Sequence, residues 1–175
     1  LSNAAVQRAA EERNSVCLRK ALRWSEAVNR SIRELPQEEV RPFDGVKKMI
    51  EQIHKSCDVA IVSSANYEAV KEEWTRFGLM EHVDIVLAQN AGSKKSCIAR
   101  LLTFGYDREK VMMTGDAPGD MEAAEANGVC YYPILVRHEA ESWEKITEAV
   151  SRLKEGTFAG EYQEKLTETF VQNLS

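Results

Sequence analysis

Side chains that can bind phosphate and a metal ion follow three successive apolar segments of this 175-residue sequence. Ser63 comes directly after the first segment, Lys94 shortly after the second, and Asp116 and Asp120 after the third. Two carboxylates on one tight turn can converge on a hard cation, and Mg²⁺ takes one or two carboxylates together with waters and phosphate oxygens. A hydroxyl, an ammonium and a divalent cation together can position and neutralise a phosphoryl group. If these side chains converge, they could bind a phosphate and a hard cation such as Mg²⁺, but each of them alone also has a structural explanation.

The hydroxyl groups near Ser63 also have a structural explanation. Ser63 or Ser64 could cap the helix that follows, because a side-chain oxygen there accepts hydrogen bonds from the first helical N–H groups. Ser64 and Asn66 lie close to Ser63 along the chain, so both are candidates for substrate binding. Tyr132, in a fourth apolar segment, is a further candidate for a substrate contact.

Lys94 and Lys95 stand at the predicted start of a helix that Ser93 can cap. Positive charge at a helix N-terminus opposes the helix dipole, so this placement indicates an anionic neighbour. A surface lysine is the structural alternative, and the sequence does not decide which of the two lysines belongs to the site. For Asp120 the alternative is a turn in which its side chain caps the next helix.

The elements that must position these residues alternate between two hydrophobic periods. Short apolar runs predict strands, and the segments between them place apolar residues at helical spacing. The four predicted strands lie around residues 59–62, 83–87, 111–114 and 129–135. Such alternation predicts right-handed β-α-β crossovers, hence an α/β fold with a Rossmann-like parallel sheet and helices on both faces. Ligands of such sheets bind at the carboxyl ends of the strands, where the candidate residues are placed.

A different pattern precedes this region. Residues 5–35 contain no glycine or proline and carry apolar residues three to five positions apart, which predicts one long helix or a helical pair. Trp24 has this spacing and is expected to pack in a core. Pro36 and the segment 41–45 end the pattern. We therefore divide the chain into a small helical cap-like region, residues 1–40, and an α/β core with C-terminal helices, residues 41–175.

Composition excludes several classes of protein. The 23 Lys and Arg residues are outnumbered by 28 Asp and Glu residues, and the net charge of −5 argues against nucleic-acid binding. The apolar runs are far shorter than the roughly 20 residues that cross a bilayer, so no membrane association is expected. The four cysteines are widely spaced and are expected to be reduced. A cytoplasmic location is the resulting expectation.

The order of these parts resembles the haloacid dehalogenase-like superfamily of phosphohydrolases, in members whose cap is inserted after the first strand. An apolar strand ends in serine, Gly92-Ser93-Lys94 opens a helix, and the pattern Gly-Asp-x-x-x-Asp runs from Gly115 to Asp120. The resemblance covers roughly residues 40–136. It implies a hydrolase with a HAD-like fold that removes phosphate from a small phosphorylated metabolite with the help of Mg²⁺.

The same resemblance implies roles for individual residues. Ser63 would hydrogen-bond the transferring phosphoryl group, and Lys94 would balance charge between the nucleophile and the phosphate. Asp116 would ligate Mg²⁺, and Asp120 would hold the metal shell or orient the lysine.

The family's first motif, D-x-D-x-[T/V], is missing from this chain. No aspartate precedes Asp44, and no D-x-D pattern occurs anywhere. Both the nucleophile and the general acid/base of the family are therefore absent. We expect this chain alone not to be catalytically competent as a phosphatase. Three explanations are open: a fragment without its first strand, a strand complemented by another chain or by self-association, and a pseudoenzyme. The alternative function is a non-catalytic protein-interaction or phosphate-binding module.

Overall fold

Two helices, α1 (Asn3–Glu12) and α2 (Val16–Arg33), form most of the smaller of two units in this structure, a computed structural model that describes residues 3–36 and 40–175. The units are Leu1–Arg41 and Pro42–Ser175. The helical pattern is interrupted at Asn14, whose φ of 44° is left-handed, a conformation that asparagine tolerates. Ser15 then caps α2 by accepting a hydrogen bond from the N–H of Leu18 at 3.3 Å. The role of this helix pair as a cap stays a prediction.

The expectation that Trp24 packs in a core was wrong, because its side chain is 70% exposed. The next residue, Ser25, donates a hydrogen bond to Asn3 of α1 at 2.8 Å. Successive residues of an α-helix are rotated by about 100°, so Trp24 cannot face α1 together with Ser25. Helical spacing identified an apolar stripe on α2 without showing what lies against it.

The larger unit alternates helices and strands, as the sequence predicts. Its helices are α3 (Val46–His54), α4 (Tyr67–Arg76), α5 (Lys94–Leu102), α6 (Pro118–Glu125), α7 (Glu139–Glu155) and α8 (Glu161–Asn173). Its strands are β1 (Ala60–Val62), β2 (Ile85–Leu87), β3 (Met112–Gly115) and β4 (Cys130–Pro133). Single 3₁₀ turns at Met80–His82, Gln89–Ala91 and Arg108–Lys110 precede or follow strands.

The strands form two parallel pairs instead of the one continuous sheet that was expected. β1 pairs with β2, with Ile61 opposite Val86, and β3 pairs with β4, with Met113 opposite Tyr131. Within the described residues no ladder joins β1 to β3. The parallel direction and the α/β class are confirmed, whereas the continuity of the sheet is not observed.

Alternate residues of β3 and β4 point to opposite faces, and each face carries its own helices. On one face Tyr132 and Cys130 pack with Ile146 and Ala149 of α7 and with Met49 of α3. On the other face Tyr131 and Val129 pack with Ile98 of α5, Ala124 of α6 and Phe170 of α8. The pair is therefore covered on both faces, which fixes α5 and α6 next to each other beside the end of β3. None of the helices in the described ranges is long and apolar enough to cross a membrane.

Candidate functional site

Four residues singled out in the sequence line one cavity of about 1200 Å³ in the larger unit. They are Ser63 after β1, Lys94 at the start of α5, Asp116 after β3 and Asp120 in α6. Each belongs to the carboxyl end of a strand or to the helix that follows it. The cavity thus brings together side chains that lie up to 57 positions apart in the sequence.

The closest contact among them joins Lys94 to Asp120. The Nζ of Lys94 donates a hydrogen bond to Oδ1 of Asp120, and the two form an ion pair. The Asp120 side chain is only 3% exposed, whereas that of Lys94 is 26% exposed. The carboxylate of Asp120 is therefore buried, while part of the Lys94 side chain remains accessible from the cavity.

Helix ends explain why these two charges are stable where they are. Lys94 is the first residue of α5, where its charge opposes the helix dipole, and the Asp120 carboxylate compensates for that placement. Asp120 lies in the first turn of α6, where negative charge is favourable. Its Oδ2 also accepts a hydrogen bond from the N–H of Ala117 at 3.2 Å, which closes the turn. Asp120 therefore both caps a helix and orients a lysine.

The turn between β3 and α6 is built around a glycine. A Cβ added to Gly115 would lie only 2.7 Å from the Cβ of Asp120 and would overlap its carboxylate. The carbonyl of Gly115 accepts hydrogen bonds from the N–H of Ile134 and from the hydroxyl of Tyr131, each at 2.9 Å. These bonds anchor the end of β3, and Asp116 follows directly after it.

Tyr131 lies buried beneath this turn. Burial raises the pKa of Tyr131 above its ordinary range, and the negative charges of Asp120 and Asp116 raise it further. The phenol therefore stays protonated and remains a hydrogen-bond donor to Gly115. Sequence reasoning missed this residue and named Tyr132 instead. Tyr132 points to the opposite face, where its hydroxyl donates to the carbonyl of Ser142 at 2.6 Å within the core.

Asp116 differs from Asp120 in its surroundings, because it is exposed and no described residue forms a hydrogen bond or ion pair with its carboxylate. The described ranges contain no group of three or more His, Cys, Asp or Glu residues placed to hold a metal ion. A single free carboxylate at a cavity edge suits a cation that keeps most of its waters, as Mg²⁺ does. Asp116 can supply one protein ligand to such a cation.

Ser63 is half-buried at the end of β1. Its N–H donates to the carbonyl of Leu87, which ties it to β2, and its Oγ accepts a hydrogen bond from the N–H of Ala65 at 3.1 Å. This arrangement leaves the hydroxyl proton free to donate to an anion in the cavity.

The structure does not place Ser64 and Asn66 on the cavity wall. Asn66 caps α4, with Oδ1 accepting hydrogen bonds from the N–H groups of Glu68 and Ala69 at 2.9 and 3.4 Å. Ser64 is exposed on the turn before it. Lys95 is exposed as well and does not line the cavity, so geometry favours Lys94 as the site lysine. The substrate-binding role of Ser64 and Asn66 stays a prediction.

A second residue that sequence reasoning missed is Asn127, which joins the two helices of the site. Its buried side-chain amide donates to the carbonyls of Lys95 in α5 and Ala123 in α6, at 3.1 and 2.8 Å. These bonds hold the first turn of α5, and with it Lys94, against α6. Nothing in the local sequence distinguishes Asn127 from an ordinary residue at a helix end.

Comparison with known proteins gives one match. A family model described as haloacid dehalogenase-like hydrolase matches residues 2–134, which include all of the cavity residues named above. No curated protein and no solved structure gives a significant match.

Proposed function

Because the chain belongs to the haloacid dehalogenase-like hydrolases, we propose that the end of the cavity formed by Ser63, Lys94, Asp116 and Asp120 binds a small phosphorylated metabolite together with Mg²⁺. Hydrolysis of a phosphomonoester is the reaction that membership of the family suggests for such a site, and the residues present supply its binding part. The observation that carries the proposal is the buried Lys94–Asp120 pair, which opens onto the same cavity as Ser63 and Asp116.

Each side chain has a role that its surroundings support. The Ser63 hydroxyl donates a hydrogen bond to a phosphoryl oxygen, since its own oxygen already accepts from Ala65. Lys94 places a positive charge beside the phosphate, and Asp120 holds that charge in position through their ion pair. Phosphoryl transfer depends mainly on positioning and charge neutralisation, so these residues supply what binding requires.

Asp116 is the residue that would hold Mg²⁺, because its carboxylate is exposed and free of other partners among the described residues. Bound Mg²⁺ would neutralise charge on the phosphoryl oxygens. Asp120 would act on the lysine and not as a direct ligand, because Lys94 and the N–H of Ala117 already engage its two oxygens.

The 175 residues supply the binding part of this machinery but no nucleophile in the family's position. None of their aspartates precedes Asp44, and the D-x-D pattern is absent. Loss of a nucleophile removes on the order of 10⁶ in rate, so we expect binding of phosphate with turnover close to background. The alternative function was a non-catalytic module that binds either a protein or phosphate. Of these two, the site residues support a module that binds phosphate without hydrolysing a phosphate ester.

The setting that we propose is the cytoplasm. All four cysteines, at positions 17, 57, 97 and 130, are free thiols in the structure. Free thiols are typical of proteins kept in a reducing compartment.

Calorimetric titration with MgCl₂ and then with inorganic phosphate tests the proposal. We expect Asp116→Asn to weaken Mg²⁺ binding at least about tenfold and Lys94→Met to weaken phosphate binding to a similar degree. Asp107→Asn is the matched control, because Asp107 is exposed and outside the cavity, and it should bind both as the parent chain does. Unchanged Mg²⁺ affinity in Asp116→Asn would show that the cation site is misplaced.

An assay with p-nitrophenyl phosphate separates binding from turnover. The parent chain should hydrolyse it at close to the uncatalysed rate while still binding phosphate. Rapid hydrolysis that disappears in Asp116→Asn would show that a nucleophile is present within these residues.

A further inference from the structure

The C-terminal helix α8 lies outside the region that matches the family model, and it contacts a residue that supports the candidate site. The match ends at residue 134, whereas α8 spans Glu161–Asn173. The family match therefore gives no role to this helix. A series of contacts runs from α8 through Tyr131 of β4 to Gly115, the residue before Asp116.

Tyr131 directs its backbone N–H away from β3. In a parallel ladder alternate residues direct their N–H and C=O groups to opposite edges. The N–H of Ile134 donates to the carbonyl of Gly115 in β3, so the even-numbered residues face β3 and Tyr131 faces outward. In the part of the chain that the structure describes, β4 pairs with β3 alone, and no second strand accepts this hydrogen bond. A buried N–H is almost always paired, so Tyr131 needs an acceptor from another element.

Gln163 of α8 supplies that acceptor. Its Oε1 accepts a hydrogen bond from the N–H of Tyr131 at 3.1 Å. The other odd-numbered residue of β4 is Pro133, which has no N–H to donate. Gln163 therefore takes the place of a neighbouring strand at Tyr131.

The aromatic ring of Tyr131 is held by the same helix. Phe170 lies about two turns beyond Gln163 and contacts this ring edge to face, with the ring centroids 5.5 Å apart. Both side chains are buried, since Phe170 is 0% and Tyr131 is 2% exposed. Because α8 contacts both the backbone and the ring of Tyr131 in a closely packed core, a shift of the helix displaces the tyrosine.

The hydroxyl of Tyr131 extends this support to the turn after β3. It donates to the carbonyl of Gly115 at 2.9 Å. That carbonyl belongs to the peptide group that joins Gly115 to Asp116, and a peptide group is planar and moves as one unit. Loss of the contacts to α8 therefore loosens the peptide group that carries Asp116.

We propose that Gln163 is a positioning residue for the cation site: by accepting from the N–H of Tyr131 it holds the tyrosine hydroxyl against the peptide group that carries Asp116. This inference rests on the proposed function, because it requires that Asp116 bind Mg²⁺. It gives α8 a part in that binding, although the helix contributes no residue to the cavity wall.

Calorimetric titration with MgCl₂ tests the role of Gln163. Gln163→Met removes the acceptor and keeps a side chain of similar length, and we expect it to lower Mg²⁺ affinity about three- to tenfold. Gln163→Glu keeps an acceptor oxygen at the same reach and should bind Mg²⁺ at least as tightly as the parent chain. Gln172→Met makes the same change at an exposed position of α8 and should bind as the parent chain does. Equal affinities of Gln163→Met and the parent chain would overturn the proposal.

Amide hydrogen exchange of Tyr131, followed by NMR, shows whether the hydrogen bond to Gln163 has been lost. Exchange should be at least about tenfold faster in Gln163→Met than in Gln172→Met, with or without Mg²⁺. Unchanged exchange would overturn the proposal, because the N–H would then not depend on Gln163. If Gln163→Met does not fold, Gln163→Asn withdraws the acceptor by one methylene group and serves for both measurements.

Tyr131→Phe tests whether Gln163 acts through the tyrosine hydroxyl. Gln163→Met should weaken Mg²⁺ binding in the parent chain but not in a chain that already carries Tyr131→Phe. Equal weakening in both chains would overturn the proposal. A parent chain that does not bind Mg²⁺ would refute the cation site of the proposed function, and this inference with it. A parent chain that binds Mg²⁺ no more tightly than Gln163→Met would overturn this inference alone.

Discussion

The backbone of Gly115 lies directly against the side chain of Asp120, with no space for a side chain of its own. This contact sets the end of β3 at the depth where the Asp120 carboxylate can reach Lys94. The glycine is therefore required by proximity and not by an unusual backbone conformation, since its φ is not left-handed.

Gly115→Ala should destabilise the protein and disturb the ion pair. The added methyl group overlaps the buried carboxylate, and overpacking of this kind costs about 1–3 kcal/mol. Gly119→Ala is a close control, because it lies four residues away and a Cβ there meets nothing within 4 Å. Gly119→Ala should leave stability unchanged or raise it slightly, because alanine has a higher helix propensity than glycine. Urea unfolding of both variants measures the difference in their stability. Equal stabilities would contradict the close contact between Gly115 and the Asp120 side chain.

Removing either partner of the Lys94–Asp120 pair should have unequal effects on stability. Lys94→Met leaves the buried carboxylate with only the N–H of Ala117, and loss of one partner of a buried pair costs about 3–5 kcal/mol. Asp120→Asn should cost less, about 1 kcal/mol, because Lys94 is partly exposed and can turn its ammonium to water. A double-mutant cycle by urea unfolding measures the coupling. A larger loss of stability for Asp120→Asn than for Lys94→Met would contradict the view that Asp120 is the more buried partner of the pair.

Asp84 should make stability depend on pH in the acidic range. The N–H of Val59 donates to its carboxylate at 2.8 Å, which holds the pKa of Asp84 below its ordinary 3.8. Burial opposes this shift, and His54 adds to it. Because the folded-state pKa is the lower one, the stabilisation is present above about pH 4 and is lost as the pH falls through the folded-state value.

Unfolding of the parent chain and of Asp84→Asn, compared at about pH 6 and about pH 3, measures this contribution. The parent chain should be the more stable of the two at the higher pH, and the gap should shrink at the lower pH. Asp107→Asn serves as the control, because no described hydrogen bond engages its side chain. A gap that is the same at both pH values would refute the role of Asp84.

Features set by local sequence could be predicted. The apolar runs placed all four strands, and Ser93 was identified as the cap of α5, where its Oγ accepts from the N–H of Ser96 at 3.2 Å. A polar cap before α4 was predicted too, but the residue that caps it is Asn66 and not Ser63 or Ser64. Strand length, period and cap chemistry involve only neighbouring residues, so one sequence suffices to read them.

Features that depend on contacts between distant segments could not be predicted. Helix-dipole reasoning indicated only an unnamed anionic neighbour for Lys94, and it was the family resemblance that suggested Asp120; the contact itself depends on how α5 and α6 pack together. Asn127 and Tyr131 act through hydrogen bonds to backbone carbonyls of other elements, and no motif marks such contacts. The separation of the sheet into two pairs has the same cause, because hydrophobic period gives a strand and not its partner.

Removing the hydroxyl from each of two adjacent tyrosines tests whether the hydrogen bond from Tyr131 helps to position Asp116. Tyr131→Phe removes the hydroxyl that donates to Gly115, and Tyr132→Phe removes the one that donates to Ser142. Both residues are 2% exposed, so each variant should lose about 1 kcal/mol of stability. Only Tyr131 lies under the turn that carries Asp116, and loss of a supporting hydrogen bond behind a ligand typically lowers metal affinity about tenfold or more. Calorimetric titration with MgCl₂ should therefore show weaker binding for Tyr131→Phe and unchanged binding for Tyr132→Phe. The same affinity in both variants would mean that the hydroxyl of Tyr131 stabilises the core without positioning Asp116.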